Sequence, residues 1–261
     1  MTAALIWLYA ALVGAVTGSF LNVCIIRWPA EQSVIRPRSR CPRCLEEIRW
    51  YDNVPVLSWL WLRGACRRCG APISAQYPLI ELATSLIWVG AAIRFGVSVE
   101  TLHSAIFLTL LLGIAMTDAR EMVIPDQFTL GGVVLGLALA AVPGGLGLIG
   151  AFIGGAAAYA LFWIVKLSAE RLLKKPALGV GDIHMMAMIG VFLGLGGALL
   201  TIFLGSLLGL LIGVPATWLR GKLTPLSTYL PLGVFLAMGA AVAHFWGAHI
   251  IAWYVGGVLG L

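Results

Sequence analysis

The chain has 261 residues, 61% of them hydrophobic and only 11% charged, with a mean hydropathy of +0.98. That composition excludes an ordinary soluble domain and points to a polytopic membrane protein. The formal net charge of +6 follows the ends of apolar segments and no nucleic-acid-binding module is recognisable, so nucleic acid is excluded as a partner.

The first apolar run, residues 3–26, lacks a basic n-region and is as long as a full span, so it is expected to be retained rather than cleaved as a secretion signal. A polar stretch follows over 27–77. Seven more apolar segments come next, at about 78–95, 101–117, 127–142, 147–167, 183–200, 201–219 and 229–253. The expected fold is therefore an all-α membrane protein of about eight transmembrane helices. It divides into a first helix (1–26), a polar insert (27–77) and a seven-helix bundle (78–261). Glycine spacings at Gly14/Gly18, Gly150/Gly154, Gly190/Gly194 and Gly205/Gly209/Gly213 predict close helix packing in lipid.

Basic residues give the orientation. Nine of the 17 lie in the first connection: Arg27, Arg36, Arg38, Arg40, Arg43, Arg49, Arg63, Arg67 and Arg68. Arg120, Lys166, Arg171, Lys174, Lys175, Arg220 and Lys222 fall near the third, fifth and seventh, with Arg94 the exception. Even connections such as "VPGGLG" and "LGLGG" are short and nearly uncharged, so the odd connections are expected in the cytoplasm and both termini outside. The basic first connection suits contact with anionic membrane lipids.

Within the insert, "CPRC" (Cys41, Cys44) and "CRRC" (Cys66, Cys69) are separated by 21 residues. Two such knuckles complete a tetrahedral sulfur shell suited to structural zinc. Disulfides rarely persist in the reducing compartment where the orientation places this loop. Metal binding is expected to supply much of the folding free energy of so small an insert. Trp50, Trp59 and Trp61 suit either its core or a headgroup anchor. Cys24, inside the first span, reads as a packing residue.

With only 11 acids, position is informative. Glu31, Glu46, Glu47, Asp52, Glu100, Glu121 and Glu170 read as solvated. Asp118 closes the third span in "TDAREMVIPD" and Asp182 opens the sixth in "GVGD"; span parity puts both on one side of the membrane. Two carboxylates at one depth can share a proton, one activating water and the other polarising a peptide carbonyl. Glycines beside Asp182 leave room for an extended substrate backbone. The alternative for each acid is a helix cap or an arginine partner. Asp126, after Pro125, reads as a cap, and Glu81 as a first-turn carboxylate facing the helix dipole. His184 stands close enough in sequence to tune Asp182, while His103, His244 and His249 have no metal-ligand spacing.

"GSFLNVCIIRWP", "SRCPRC", "CRRCGAPIS", "YPLIELAT", "TDAREMVIPD" and "GVGD" occur in this order along nearly the whole chain. Together they resemble the bacterial type IV prepilin peptidase family, bifunctional leader peptidases and N-methyltransferases of pilus and type II secretion systems. The resemblance puts the family's catalytic aspartates on Asp118 and Asp182 and its cysteine tetrad on Cys41, Cys44, Cys66 and Cys69. It implies removal of a basic leader from prepilins or pseudopilins at the cytoplasmic face of the inner membrane. Methylation of the new amine from S-adenosylmethionine would follow, although no soluble-type glycine-rich loop marks the methyl-donor site. Two other classes remain open: a proton- or ion-coupled transporter using the same aspartates, and a scaffold whose zinc loop docks a secretion partner.

Overall fold

The computed structural model describes residues 2–143, 147–175, 178–213, 215 and 231–258. The chain falls into two compact units, Met1–Thr109 and Leu110–Leu261.

In the first unit, helix α1 (Ala3–Arg27) has 25 residues, about 37 Å at 1.5 Å per residue, against about 30 Å of hydrocarbon. Gly14 and Gly18 lie on its buried face and press on helix α3 (Gln76–Phe95). A Cβ on either glycine would lie 2.7 Å from the Cα of Ser85 or Glu81 respectively, so the backbones touch, as the expected glycine seam requires. Ser85 Oγ donates to Ala11 O at 3.0 Å and Asn22 Nδ2 to Tyr77 O at 3.1 Å, adding polar ties along an antiparallel pair. Cys24 is buried, as a packing residue should be.

Between these helices lie two short elements, a 3-10 turn at Trp50–Asn53 and helix α2 (Leu57–Trp61). Helix α3 begins ahead of Pro78, because first-turn amides need no intrahelical partner and a proline there costs nothing in hydrogen bonding. Glu81 is therefore the sixth residue of the helix rather than a first-turn group, a correction to the sequence reading. Gly96, with φ +65°, then stops the helix.

The division between the units falls within helix α4 (Val99–Glu121). The second unit continues with α5 (Asp126–Ala140), α6 (Leu148–Leu173), α7 (Val180–Leu208) and α8 (Leu232–Trp253). Helix α7 is broken at Gly194, whose φ of 69° and ψ of 179° are open essentially to glycine alone. An unbroken α7 would hold Asp182 and Gly209 about 40 Å apart. Instead, Gly181 packs on Ile124, Ile124 on Gly233, and Gly209 on Phe235, so both ends of α7 reach the first turn of α8. The chain thus doubles back at Gly194, and the second arm runs antiparallel to α8, with Leu200 facing Gly247 and Gly205 facing Leu236 and Gly239.

Six helices among the described residues are long and apolar enough to cross a membrane, with α5 a shorter apolar seventh. Counting the two arms of α7 separately gives the eight apolar segments expected, but the break falls at Gly194 inside "LGLGG" rather than at the expected 200/201 boundary, because glycine alone takes the backbone conformation of that turn. The remainder of the seventh segment beyond 215, the start of the eighth, Arg220 and Lys222 lie outside the described residues. Gly154 and Gly190 meet backbone to backbone, so no side chain fits either position. Gly194 makes the turn and also packs as the spacing suggested, since a Cβ on Gly154 would lie 2.8 Å from its Cα, whereas Gly150 faces open space and does not repeat that role.

Candidate active site and metal centre

The two cysteine knuckles have the same backbone. In the first, Cys41 N–H donates to Glu46 O and Leu45 N–H to Cys41 O, both at 2.9 Å. In the second, Cys66 N–H donates to Ala71 O at 2.8 Å and Gly70 N–H to Cys66 O at 2.9 Å. The residue after each second cysteine is left-handed: Leu45 at φ +58° and Gly70 at φ +67°. The four Sγ atoms of Cys41, Cys44, Cys66 and Cys69 lie within 4.8 Å of one another. Cys41 and Cys69 approach to 3.7 Å and Cys44 and Cys66 to 4.0 Å. Those separations are far beyond a disulfide bond of about 2.05 Å. They match the sulfur edge of about 3.8 Å that a tetrahedron with metal–sulfur bonds of about 2.3 Å requires. Backbone N–H groups of Cys44 and Arg43 directed at Cys41 pull its thiol down to about 6, toward the thiolate that binds metal. The cluster can hold a metal ion.

Both arginines of "CRRC" cross to acids contributed from the first knuckle's side. Arg67 grips Asp52 with three hydrogen bonds of 2.6–3.0 Å, and Arg68 pairs with Glu46. Glu46 and Asp52 are therefore paired rather than merely solvated. Trp59 packs inward, its Nε1 donating to Ile73 O at 3.1 Å and its ring covering Gly64. Trp50 and Trp61 are 81% and 83% exposed. The insert thus uses one tryptophan for its core and leaves two outside.

Glu81 is buried, and its Oε2 accepts the Val56 N–H at 2.7 Å while Ser19 also hydrogen-bonds its carboxylate. One side chain therefore ties α1, α3 and the chain entering α2, a use that no local pattern announces.

In the second unit, Asp118 is buried near the end of α4 and its Oδ2 accepts the Val234 N–H at 3.1 Å, with the Gly233 N–H directed at the same carboxylate. Asp182, half-buried in the first turn of α7, takes the N–H of Gly179 and lies within electrostatic reach of Asp118. Ile124 packs between the two helix starts that carry these contacts: a Cβ on Gly181 would lie 2.9 Å from its Cβ, and one on Gly233 would lie 2.8 Å from its Cδ1. Two acids 64 positions apart in sequence thus share one end of the bundle, as span parity required. Asp118 accepts the N–H groups of Val234 and Gly233 at the start of α8, Asp182 accepts that of Gly179 at the start of α7, and the two acids interact electrostatically.

Asp126 departs from its expected role. Pro125 holds the cap position of α5, and Asp126 Oδ1 meets His184 Nδ1 at 2.7 Å instead. The His184 ring stacks on Tyr159 with centroids 6.2 Å apart. His184 therefore turns toward Asp126 and Tyr159. Gly233 is the site residue that sequence reasoning missed; the only local signal was a small residue just inside a proline-led helix start.

Residues 12–95 match the bacterial peptidase A24 N-terminal domain, and residues 105–214 match the type IV leader peptidase family. A prepilin leader peptidase/N-methyltransferase of Myxococcus xanthus is 38% identical over 213 residues, covering 82% of this chain and 64% of its own length. One from Aeromonas hydrophila is 36% identical over 280 residues, covering 95% of this chain and 94% of its own. One from Xanthomonas campestris is 32% identical over 274 residues, covering 94% and 93%. The chain spans just under two thirds of the Myxococcus protein and nearly all of the other two. No solved structure matches the chain.

Proposed function

The chain belongs to the type IV leader peptidase family, and from that premise we propose that Asp118 and Asp182 are the catalytic pair of a membrane endopeptidase that removes prepilin leaders. The family supports a bifunctional peptidase and N-methyltransferase and gives no support to the transporter alternative. The observation that carries the catalytic reading is the meeting of Asp118 and Asp182 around Ile124 beneath two glycine-lined helix starts.

The chemistry follows from the pairing. One carboxylate is ionised and takes a proton from water as the water oxygen attacks the scissile carbonyl carbon. The protonated partner gives its proton to the carbonyl oxygen. Collapse of the tetrahedral diol breaks the C–N bond, and a proton passes to the departing amine. No acyl-enzyme forms. Gly179 and Gly181 present no side chain between Asp182 and an approaching backbone. The substrate's apolar helix lies among the spans while its basic leader remains in the cytoplasm with the odd connections. S-adenosylmethionine would supply the methyl group for the freed amine.

Zinc is the metal that suits the cysteine cluster. Four thiolates leave no open coordination position, so Cys41, Cys44, Cys66 and Cys69 would hold it structurally. The same insert meets membrane lipid. Val56 is tied to the sixth residue of α3, about 7 Å inside the end of that helix, which supports a position of α2 near the headgroups. Leu57, Leu60 and Trp61 are exposed on α2, and Trp50 is exposed beside it, as an interfacial anchor among arginines requires.

The test is incubation of the purified chain with a full-length prepilin and S-adenosylmethionine, read by intact mass. A pilin shortened by its leader and heavier by one methyl group is expected. Unchanged prepilin, with ion flux across reconstituted vesicles, would favour the transporter.

A further inference from the structure

Among the described residues, the first turn of α8 has no cap of its own. Pro231 occupies the cap position without a side-chain hydrogen bond, and the amides of the following turn need acceptors. The acceptor arrives from α4: Asp118 Oδ2 takes the Val234 N–H at 3.1 Å, a partner 116 positions away in sequence, and the Gly233 N–H points at the same group. Among the described residues, Asp182 takes the N–H of Gly179 at the start of its own helix. Hydrogen bonds to a carboxylate favour its charged form, and a helix N-terminus adds positive potential.

We propose that the start of α8 holds Asp118 as the ionised, water-activating member of the pair, leaving Asp182 to donate the proton, with Gly233 the positioning residue that lets α8 close on Asp118. This deepens the catalytic reading above and rests on it. Water then loses its proton to Asp118 while the proton on Asp182 passes to the carbonyl oxygen, so the pair ends each attack with its protonation exchanged and is reset as the amine leaves. Gly233 is required by space: a Cβ there would lie 2.9 Å from Asp118 Oδ2, 3.1 Å from its Cγ and 2.8 Å from Ile124 Cδ1. The Ile124 end is a flexible methyl that can yield. The carboxylate cannot yield without leaving the amides that hold it.

Three variants separate positioning from packing, each assayed for prepilin cleavage at equal membrane abundance beside Asp118→Asn. Gly233→Ala is expected to lower kcat by about 10–100-fold with KM within about twofold of wild type, as small misplacements of reacting groups do. Adding Ile124→Val removes the Cδ1 contact and leaves the carboxylate contact, so the double variant stays slow; recovery of kcat would assign the defect to packing and overturn the proposal. Val234→Pro deletes one N–H donor in a first turn that tolerates proline, and so covers the case where Gly233→Ala does not insert. It too is expected to lower kcat at unchanged KM. Wild-type kcat in Gly233→Ala, or in Val234→Pro should Gly233→Ala not insert, while Asp118→Asn is inactive, overturns the positioning role and leaves the dyad standing. Activity in Asp118→Asn itself would instead remove the catalytic reading on which the proposal rests. Gly209→Ala, whose Cβ would meet Phe235 at an ordinary 3.6 Å, is the control at the same helix contact.

Discussion

Leu45 and Gly70 show how one residue reveals a compromise. Both follow the second cysteine of a knuckle and both are left-handed, yet only Gly70 escapes the steric cost of that conformation, about 1–2 kcal/mol for a residue with a Cβ. Leu45 is exposed and packs little in return. Leu45→Asn is therefore expected to tighten the metal loop by up to about 1 kcal/mol, seen as slower zinc loss to a chelator. Faster loss would mean that the leucine side chain contributes packing outweighing its backbone strain. Asp126 sets a different residue-scale test. It is exposed and engages His184 rather than the dyad, so Asp126→Asn is expected to keep cleavage within about twofold and to cost less than about 1 kcal/mol of stability. Loss of cleavage in purified Asp126→Asn would place that pair in the chemistry.

At the scale of elements, hydropathy and glycine placement act together. Eight apolar segments were legible because each must present nonpolar side chains to lipid, and the short "LGLGG" connection was legible because its residues carry neither charge nor length. What could not be read was that the turn would be made by a single residue inside an otherwise continuous hydrogen-bonded run. Gly194→Ala is expected to cost about 1–3 kcal/mol, because its φ of 69° and ψ of 179° lie outside alanine's range. The expected signature is a lower melting temperature with cleavage lost on mild heating; an unchanged melting temperature would show that the arms can meet by another turn. The role of Glu81 was illegible for a related reason. Its partner, Val56, comes from a loop whose path is set by the cysteine knuckles, and nothing within a window around position 81 encodes that path. Gly233 is the extreme case, since its constraint comes from Asp118 and Ile124, both more than a hundred positions earlier.

Over the whole molecule, the metal loop belongs to the unit Met1–Thr109 and both aspartates to the unit Leu110–Leu261. Damage to one need not destroy the other. Replacing Cys41 and Cys69 by serine is expected to remove about one zinc per chain. The processed pilin should then be cleaved but poorly methylated. Equal loss of both activities at normal membrane abundance would contradict separable sites. The order of motifs along the chain made the family legible before any geometry. It did not reveal that Asp118 caps a helix arriving from the far end of the sequence, which only the fold brings into view.

Joint cleavage of the prepilin by Asp118 and Asp182 is tested by the intact mass of one pilin after incubation with purified wild type, Asp118→Asn and Asp182→Asn proteins. A neutral amide at either position can neither activate water as a carboxylate nor share its proton. Leader-free pilin is expected from the wild type and only full-length prepilin from each variant, at equal membrane abundance and unchanged melting temperature. Leader-free pilin at the wild-type rate from either variant would contradict it.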